Sequence, residues 1–89
     1  MMGVKSENSE SFGIVLRELR EAAGLTQEQL GFESDLRRTF ISVLELGQQQ
    51  PSLTTVFKLA SALRISASDM VRRVEVRILL NVTGHSDLS

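Results

Sequence analysis

The 89-residue chain contains no cysteine, no tryptophan and no tyrosine. Without cysteine, a disulfide scaffold, a thiolate metal site and a cysteine nucleophile are all excluded. Four phenylalanines supply all the aromatic surface, so the core is expected to be aliphatic. No signal peptide is expected, since no basic stretch followed by an apolar run opens the sequence, and no apolar run reaches the roughly 18 residues that a membrane span requires. These absences predict one cytoplasmic domain without a membrane segment.

A surplus of positive charge is missing as well. The net charge is −1, and residues 26–50 hold two arginines against four carboxylates, whereas residues 51–89 hold five basic and three acidic side chains. Phosphate binding normally comes with a basic surplus, so the overall charge argues weakly against a nucleic-acid partner. Any such partner must therefore be argued from local motifs.

Apolar residues at three- and four-residue steps predict a first helix over residues 10–23, and Gly24 suits the left-handed turn that ends it. The TQEQ sequence at 26–29 matches a capping box, which predicts a second helix over residues 27–34. This helix is only about two turns long, so packing must stabilise it. A third helix is predicted over residues 38–46, with a glycine as its stop.

Two further helices are predicted after the GQQQPS loop. Ser52 caps a fourth helix that ends near Arg64, and SASD at 66–69 repeats the capping pattern for a fifth. Five short helices with short links predict an all-α fold, a compact five-helix bundle over residues 10–73. Residues 1–9 are polar and aperiodic, which predicts a flexible tail before the bundle.

The segment at residues 74–82 fits two conformations. Its even-numbered positions are all apolar, as in a half-buried strand, but apolar residues from 70 to 79 also recur at helical spacing. As a short C-terminal strand or as a helix extension, it adds an apolar edge to a core that is already complete, and such edges commonly mark association. We therefore expect a dimerisation extension over residues 74–82 and a flexible tail over residues 83–89. The expected dimer contacts are Met70, Val74, Val76, Ile78 and Leu80.

The third predicted helix has an apolar and a polar side. On a helical wheel Ile41 and Leu44 point inward, and the outward residues are Arg38, Thr39, Ser42, Val43 and Leu46. Two short helices joined across residues 34–37, the second with arginine and hydroxyl groups near its N-terminus, match the geometry that places a recognition helix in the DNA major groove. This arrangement predicts a helix-turn-helix unit.

Three stretches extend the match: LRELREAAGLTQEQLG, RTFISVLELG and PSLTTVFKLASALRISASDM. Together they resemble the Cro/C1-type (XRE) helix-turn-helix family over residues 12–72. This family has a lambda repressor-like DNA-binding domain and includes phage repressors and restriction-modification controller proteins. The residues at its signature spacing in the turn unit are Gln27, Gly31, Ile41 and Leu44.

The resemblance implies which residues read the DNA bases. The base-reading positions of the family correspond to Arg38, Thr39, Ser42 and Val43. At such positions an arginine can donate to guanine O6 and N7, and an aliphatic or threonine methyl group can contact the thymine methyl group.

The resemblance also implies contacts around these positions. Gln27, at the N-terminus of the second helix, corresponds to a phosphate contact, and Arg37 and the loop residue Gln48 are expected to reach phosphate too. Arg20 and Glu45 match a structural ion pair between the first helix and the end of the recognition helix. Removing either partner would leave a partly buried charge without compensation.

Three features depart from the family pattern. Asp35 stands at a turn position usually held by glycine, and Arg37 replaces the usual N-cap residue of the recognition helix. Glutamines replace the basic residues often found in the loop after that helix. Because few counterions would be released on binding, this pattern predicts a shallow salt dependence of DNA affinity.

The resemblance implies a homodimeric, sequence-specific DNA-binding transcription regulator with recognition helices in successive major grooves, about 34 Å apart, on a pseudo-palindromic operator. Repression by occlusion and activation through RNA polymerase both stay open. Because the net charge is −1, an alternative to DNA binding stays open: an antitoxin-like module that binds another protein. No phosphate loop or nucleophile with its base is found, and His85 stands alone, so we expect no enzyme activity, no metal and no cofactor.

Overall fold

The computed structural model describes the backbone of residues 6–88 and the side chains of residues 6–81. Within this range the chain forms five α-helices and no strand. The helices are α1 (Glu7–Ala22), α2 (Gln27–Ser34), α3 (Arg38–Glu45), α4 (Leu53–Leu63) and α5 (Ala67–Leu88). The predicted all-α five-helix bundle is confirmed. No helix in the described part is both long and apolar enough to cross a membrane.

The core is aliphatic and draws on every helix. Its fully buried side chains are Leu16 of α1, Leu30 of α2, Ile41 and Leu44 of α3, Leu59 of α4 and Met70 of α5. α1 packs against α3 and α5, whereas α2 packs against α3 and α4. Burying one large aliphatic side chain is worth about 1.5–3 kcal/mol. These contacts hold α2 and α3, which are too short to be stable as isolated helices.

α1 begins at Glu7, ahead of the predicted start at residue 10. Ser6 caps the helix by accepting a hydrogen bond from the Ser9 N–H at 3.0 Å, and acidic residues in the first turn favour the positive end of the helix dipole. The prediction of a flexible tail over residues 1–9 is therefore wrong from Ser6 onward, and the residues before Ser6 lie outside the described range. Apolar periodicity did not reveal this start because the first turn is built from polar residues.

α5 is a continuous helix to Leu88. Of the two conformations that residues 74–82 fit, the helix extension is correct and the strand is wrong. The backbone stays helical through residues 83–88, so the prediction of a flexible tail there is wrong; no proline follows Ala67 to break the helix. The side chains beyond Asn81 lie outside the described range.

The turn between α2 and α3 depends on two backbone features. Asp35 ends α2 in the left-handed conformation (φ 60°, ψ 42°), which aspartate tolerates better than most residues. Gly31 is buried where the chain folds back, and a Cβ there would lie 2.7 Å from the Leu36 carbonyl oxygen. The Leu36 N–H donates to the Gly31 carbonyl oxygen at 2.8 Å. α3 can therefore start close against α2 because Gly31 has no side chain.

Gly13 lies where α1 crosses the end of α3. A Cβ at this position would lie 2.5 Å from the Leu44 carbonyl oxygen and 2.6 Å from the Glu45 carbonyl oxygen. Both obstacles are backbone atoms, which cannot rotate away as a flexible side chain could. The absence of a side chain at Gly13 thus sets how closely α1 and α3 pack.

Gly13→Ala is expected to lower the free energy of unfolding by about 1–3 kcal/mol, because overpacking at a backbone contact outweighs the better helix propensity of alanine. Urea denaturation measures this change. Arg17→Ala, on the exposed side of α1, is the control and should stay within about 0.5 kcal/mol of the parent chain. A Gly13→Ala variant as stable as the parent would contradict the close approach of α1 and α3.

Candidate nucleic-acid interface

The N-terminal half of α3 presents polar side chains on one side. Arg37, Arg38 and Thr39 are exposed, whereas Ser42 and Val43, one turn later, are half-buried. The opposite side of the helix is anchored by two fully buried aliphatic residues, which fix its rotation about its own axis. The structure therefore brings the predicted base-reading residues together, with Arg37 at the edge of the group.

No side chain caps the N-terminus of α3. Arg37 occupies the N-cap position with an extended backbone (φ −75°, ψ 145°), and its side chain makes no capping hydrogen bond. The first N–H groups of a helix have no acceptor inside the helix, and the helix dipole places partial positive charge there. With Arg37 and Arg38 beside it, this end of α3 can bind an anion such as a phosphate group.

The N-terminus of α2 is capped by its own sequence. Thr26 Oγ1 accepts from the Gln29 N–H at 3.0 Å, and Gln29 Oε1 accepts from the Thr26 N–H at 2.8 Å, so the predicted capping box is confirmed. Gln27, the first helical residue, takes no part in the box. Its Nε2 donates to Glu45 Oε1 at 3.0 Å, across from α2 to the end of α3.

Sequence reasoning missed the hydrogen bond between Gln27 and Glu45. Gln27 was expected to reach outward to phosphate, and no local pattern pairs residues that are 18 positions apart. The resemblance did contain a signal for this bond. It pairs Glu45 with Arg20 at the end of α1, and the short loop from there to α2 brings Gln27 close to the same carboxylate.

Arg20 and Glu45 form a two-pronged ion pair, as the resemblance implied. Arg20 Nε lies 2.6 Å from Glu45 Oε2, and Arg20 Nη2 lies 3.0 Å from Glu45 Oε1. Arg20 Nη1 donates to the Leu25 carbonyl oxygen at 2.9 Å. The two charged side chains are 11% and 4% exposed. These bonds join α1, the end of α3 and the loop before α2 in one buried polar cluster.

The Arg20 guanidinium is stabilised in its charged form. The hydrogen bond to Glu45 raises the pKa of Arg20 above its ordinary value, against the lowering effect of burial. A pKa that is raised in the folded state contributes stability that is present below the ordinary arginine pKa and is lost only as the pH rises above it. This contribution is therefore constant across the neutral range.

The ion pairs change the charge that a ligand of α3 would meet. Among the four carboxylates of residues 26–50, Glu45 is compensated by Arg20, which lies outside that window. Asp35 Oδ2 lies 3.8 Å from Lys58 Nζ, but the Asp35 side chain is 96% exposed, so this ion pair is weak. A count of charges along the sequence thus overstates the negative charge around α3.

The loop after α3 supplies neutral donors. Gln48, Gln49 and Gln50 are all exposed. The Gln48 N–H donates to the Val43 carbonyl oxygen at 3.1 Å, which keeps the start of the loop against the end of α3. Amide side chains here can donate hydrogen bonds to phosphate but cannot neutralise its charge.

The residues predicted to form the dimer contact fall into two groups. Met70 is 0% exposed inside a single chain, so its assignment to a dimer contact is wrong, and Val74 packs partly against the same core. Val76 and Leu80 are 48% and 64% exposed, and Ile78 is half-buried. Positions that would share one face of a strand are spread around a helix, which explains the division.

Two exposed apolar residues of α5 were missed, Val71 and Leu79, which are 51% and 58% exposed. On the helical wheel Val71 and Leu79 lie with Ile78, in a groove that Pro51 also lines, whereas Val76 and Leu80 lie on the other side of the helix, beside Val15 and Leu19 of α1. We call the apolar surface on these two sides together the α5 apolar face; it consists of Val71, Val76, Ile78, Leu79 and Leu80. Among the described side chains no group of three His, Cys, Asp or Glu residues could hold a metal ion, and His85 lies outside that range.

Arg20→Ala is expected to lower the free energy of unfolding by about 3–5 kcal/mol, because it leaves the buried Glu45 carboxylate without an opposite charge and with only the neutral Gln27 amide as a partner. The matched control is Arg17→Ala, which removes an exposed pair with Glu21 at 3.3 Å and should cost no more than about 0.5 kcal/mol. Guanidinium denaturation followed by circular dichroism compares the two. Equal small losses for both variants would contradict the burial of the Arg20–Glu45 pair.

A family model described as helix-turn-helix matches residues 16–70, a range that includes all of α2 and α3. The control protein C.BamHI of Bacillus amyloliquefaciens is 38% identical over 61 residues, which are 67% of this chain and 75% of that protein. The restriction-modification controller protein C.AhdI from Aeromonas hydrophila is 43% identical with a TM-score of 0.71; the match covers 73% of this chain and 98% of that chain.

A further solved structure is that of the restriction-modification controller protein C.Esp1396I, as a tetramer in complex with its natural 35 base-pair operator. It is 26% identical to this chain with a TM-score of 0.76, and the match covers 83% of this chain and 97% of that chain. The family match covers more than half of the sequence and contains the whole turn unit. The chain belongs to the Cro/C1-type (XRE) helix-turn-helix family.

Proposed function

We propose that the protein is a sequence-specific DNA-binding transcription regulator that binds a pseudo-palindromic operator as a homodimer. The observation that carries this proposal is the single side of α3 from which Arg38, Thr39, Ser42 and Val43 emerge, opposite two buried anchors. The DNA major groove is about 12 Å wide and admits one α-helix. A short helix fixed in rotation can therefore present a constant pattern of donors and methyl groups to base edges.

The base contacts follow from the chemistry of these side chains. The Arg38 guanidinium carries paired donors that match O6 and N7 of guanine, and the Thr39 and Ser42 hydroxyls can donate or accept. Val43 is half-buried and offers methyl groups that suit the methyl group of thymine. Specificity thus rests on one charged residue and three small neutral ones.

The phosphate contacts surround this group. Arg37 and the uncapped N-terminus of α3 provide positive charge, and Gln48 and Gln27 provide neutral donors. Few of these groups are cationic, so few counterions are released on binding. The salt dependence of the affinity is accordingly shallow for a DNA-binding protein.

The α5 apolar face is the dimer contact in this proposal. Exposed apolar patches of this kind commonly mark association between proteins, and two chains joined by α5 would present two copies of α3. A two-fold axis would give half-sites about one helical turn, roughly 34 Å, apart. The operator-bound tetramer of C.Esp1396I supports an oligomer on DNA as the working form.

A regulator of bacterial or phage genes meets its operator in the cytoplasm. Occupation of a promoter would exclude RNA polymerase and repress transcription, whereas contact with polymerase from a neighbouring site would activate it. RNA polymerase is therefore the further partner that this function implies.

A protein-interaction module, such as an antitoxin-like partner binder, is the second candidate. Phe32 on α2 is 88% exposed, and Glu28, one turn before it, and Glu33, next to it in sequence, are exposed as well. An acidic surface with a large apolar side chain suits a basic protein partner better than it suits phosphate.

Arg38→Ala should weaken binding to a duplex that the wild-type protein selects from a random-sequence pool by about 1–3 kcal/mol, or roughly 5- to 150-fold. Binding to an unrelated duplex should change little. Arg37→Ala is the matched control: it should weaken binding to both duplexes alike and reduce the salt slope by about 1. Fluorescence anisotropy over a salt series measures both effects.

Failure of the wild-type protein to select any duplex at low salt would refute the DNA-binding function and favour the protein-interaction module. Equal losses for Arg38→Ala on both duplexes would contradict the assignment of Arg38 to base recognition.

The double substitution Val76→Glu with Leu80→Glu should convert the dimer to a monomer, because it places carboxylates in a contact from which water is excluded. Sedimentation velocity measures the change in mass. Leu53→Glu is the control, since Leu53 is 68% exposed on α4, outside the α5 apolar face, and its loss should leave the dimer intact. An unchanged dimer in the double variant would refute this assignment.

A further inference from the structure

We propose that Glu45 is a positioning residue for DNA binding: its buried carboxylate, held by Arg20, orients the Gln27 amide so that one N–H of Gln27 points to a DNA phosphate. This inference rests on the proposed function, because it requires the N-terminus of α2 to meet the DNA backbone. In it, Glu45 does not touch DNA and acts through Gln27.

The orientation follows from the chemistry of the two groups. An ionised carboxylate only accepts hydrogen bonds, so it faces the nitrogen of the Gln27 amide and not the oxygen. Gln27 Nε2 donates to Glu45 Oε1 at 3.0 Å with one of its two N–H groups. The second N–H stays available to a ligand at the start of α2. Without the carboxylate, the amide could equally present its oxygen, which a phosphate would repel.

The carboxylate is itself fixed from the other side. Glu45 Oε1 also accepts from Arg20 Nη2, and Glu45 Oε2 accepts from Arg20 Nε, so both oxygens are held by the guanidinium. Arg20 is held in turn by the Leu25 carbonyl oxygen, in the loop before α2. The Glu45 side chain is only 4% exposed, and these contacts are formed in the structure without any ligand.

The start of α2 adds to the same site. The N–H groups of the first helical residues, Gln27 and Glu28, have no acceptor within the helix, and the capping box takes the N–H of Gln29 instead. The positive end of the helix dipole therefore lies beside the oriented amide. A phosphate at this position would meet one side-chain donor and backbone donors whose directions are all set in advance, which avoids the entropy loss of ordering a free glutamine on binding.

The test uses a duplex selected by the wild-type protein, in which each phosphate is replaced in turn by an uncharged methylphosphonate. The replacement at the phosphate that Gln27 contacts, one in each half-site, should weaken wild-type binding about tenfold, as expected for loss of a hydrogen bond to a charged group. Gln27→Met, which keeps the length of the side chain but has no donor, should cause the same loss on the native duplex. It should cause no further loss on the duplex modified at that phosphate.

Glu45→Gln should reproduce this pattern, because a neutral amide no longer selects the nitrogen of Gln27. The loss of about tenfold should be confined to the same phosphate and should not alter the phosphate that couples to Arg37→Ala. If Glu45 only stabilised the fold, Glu45→Gln would weaken binding by the same factor on the native duplex and on every modified duplex. That result would overturn the proposal. Wild-type affinity in folded Glu45→Gln would overturn it too.

A measurement on the wild-type protein covers the case in which Glu45→Gln does not fold. In the free protein, the side-chain amide of Gln27 should be as ordered as the backbone of α2 in a 15N heteronuclear NOE experiment. A mobile amide would overturn the proposal. If the wild-type protein selects no duplex, the DNA-binding function fails together with this inference. If the wild-type protein selects a duplex and Gln27→Met binds that duplex with wild-type affinity, only this inference fails.

Discussion

The geometry of the candidate interface depends on the buried carboxylate of Glu45. It accepts three hydrogen bonds, two from Arg20 of α1 and one from Gln27 of α2, while Glu45 itself ends α3. Apolar packing fixes how deeply a helix is buried and how it is rotated, but its contacts are not directional. Directional hydrogen bonds between charged groups restrict the arrangement further. Glu45 thus links α1, α2 and α3 through one side chain.

Close backbone approach reinforces this arrangement. Gly13 lets α1 reach the carbonyl groups at the end of α3, and Gly31 lets the start of α3 lie against α2. Both ends of α3 are therefore held by contacts that a side chain at either glycine would prevent. An eight-residue helix has little stability of its own, so its position must come from such contacts.

The charge distribution reconciles a net charge of −1 with a nucleic-acid partner. Attraction to phosphate depends on the charges within a Debye length, about 10 Å at 0.1 M salt, rather than on the total. Near the N-terminus of α3 the local positive charges are Arg37, Arg38 and the helix dipole, against the exposed carboxylate of Asp35, whereas Glu45 is compensated internally by Arg20. DNA binding with so few cationic groups relies more on the geometry of hydrogen-bond donors than on the net charge of the protein. The orientation of neutral donors such as the Gln27 amide is therefore important.

Local sequence patterns predicted the helices, the turn unit and the side of α3 that faces outward, because capping residues and apolar spacing act within a few positions along the chain. They were less informative at the ends, where polar capping by Ser6 begins α1 and where the same apolar residues of α5 fit two periodicities. The tertiary structure alone decided that Met70 belongs to the core and that Gln27 is bonded to Glu45. Both outcomes depend on the distance between helices that are remote in sequence, and no local pattern encodes that distance.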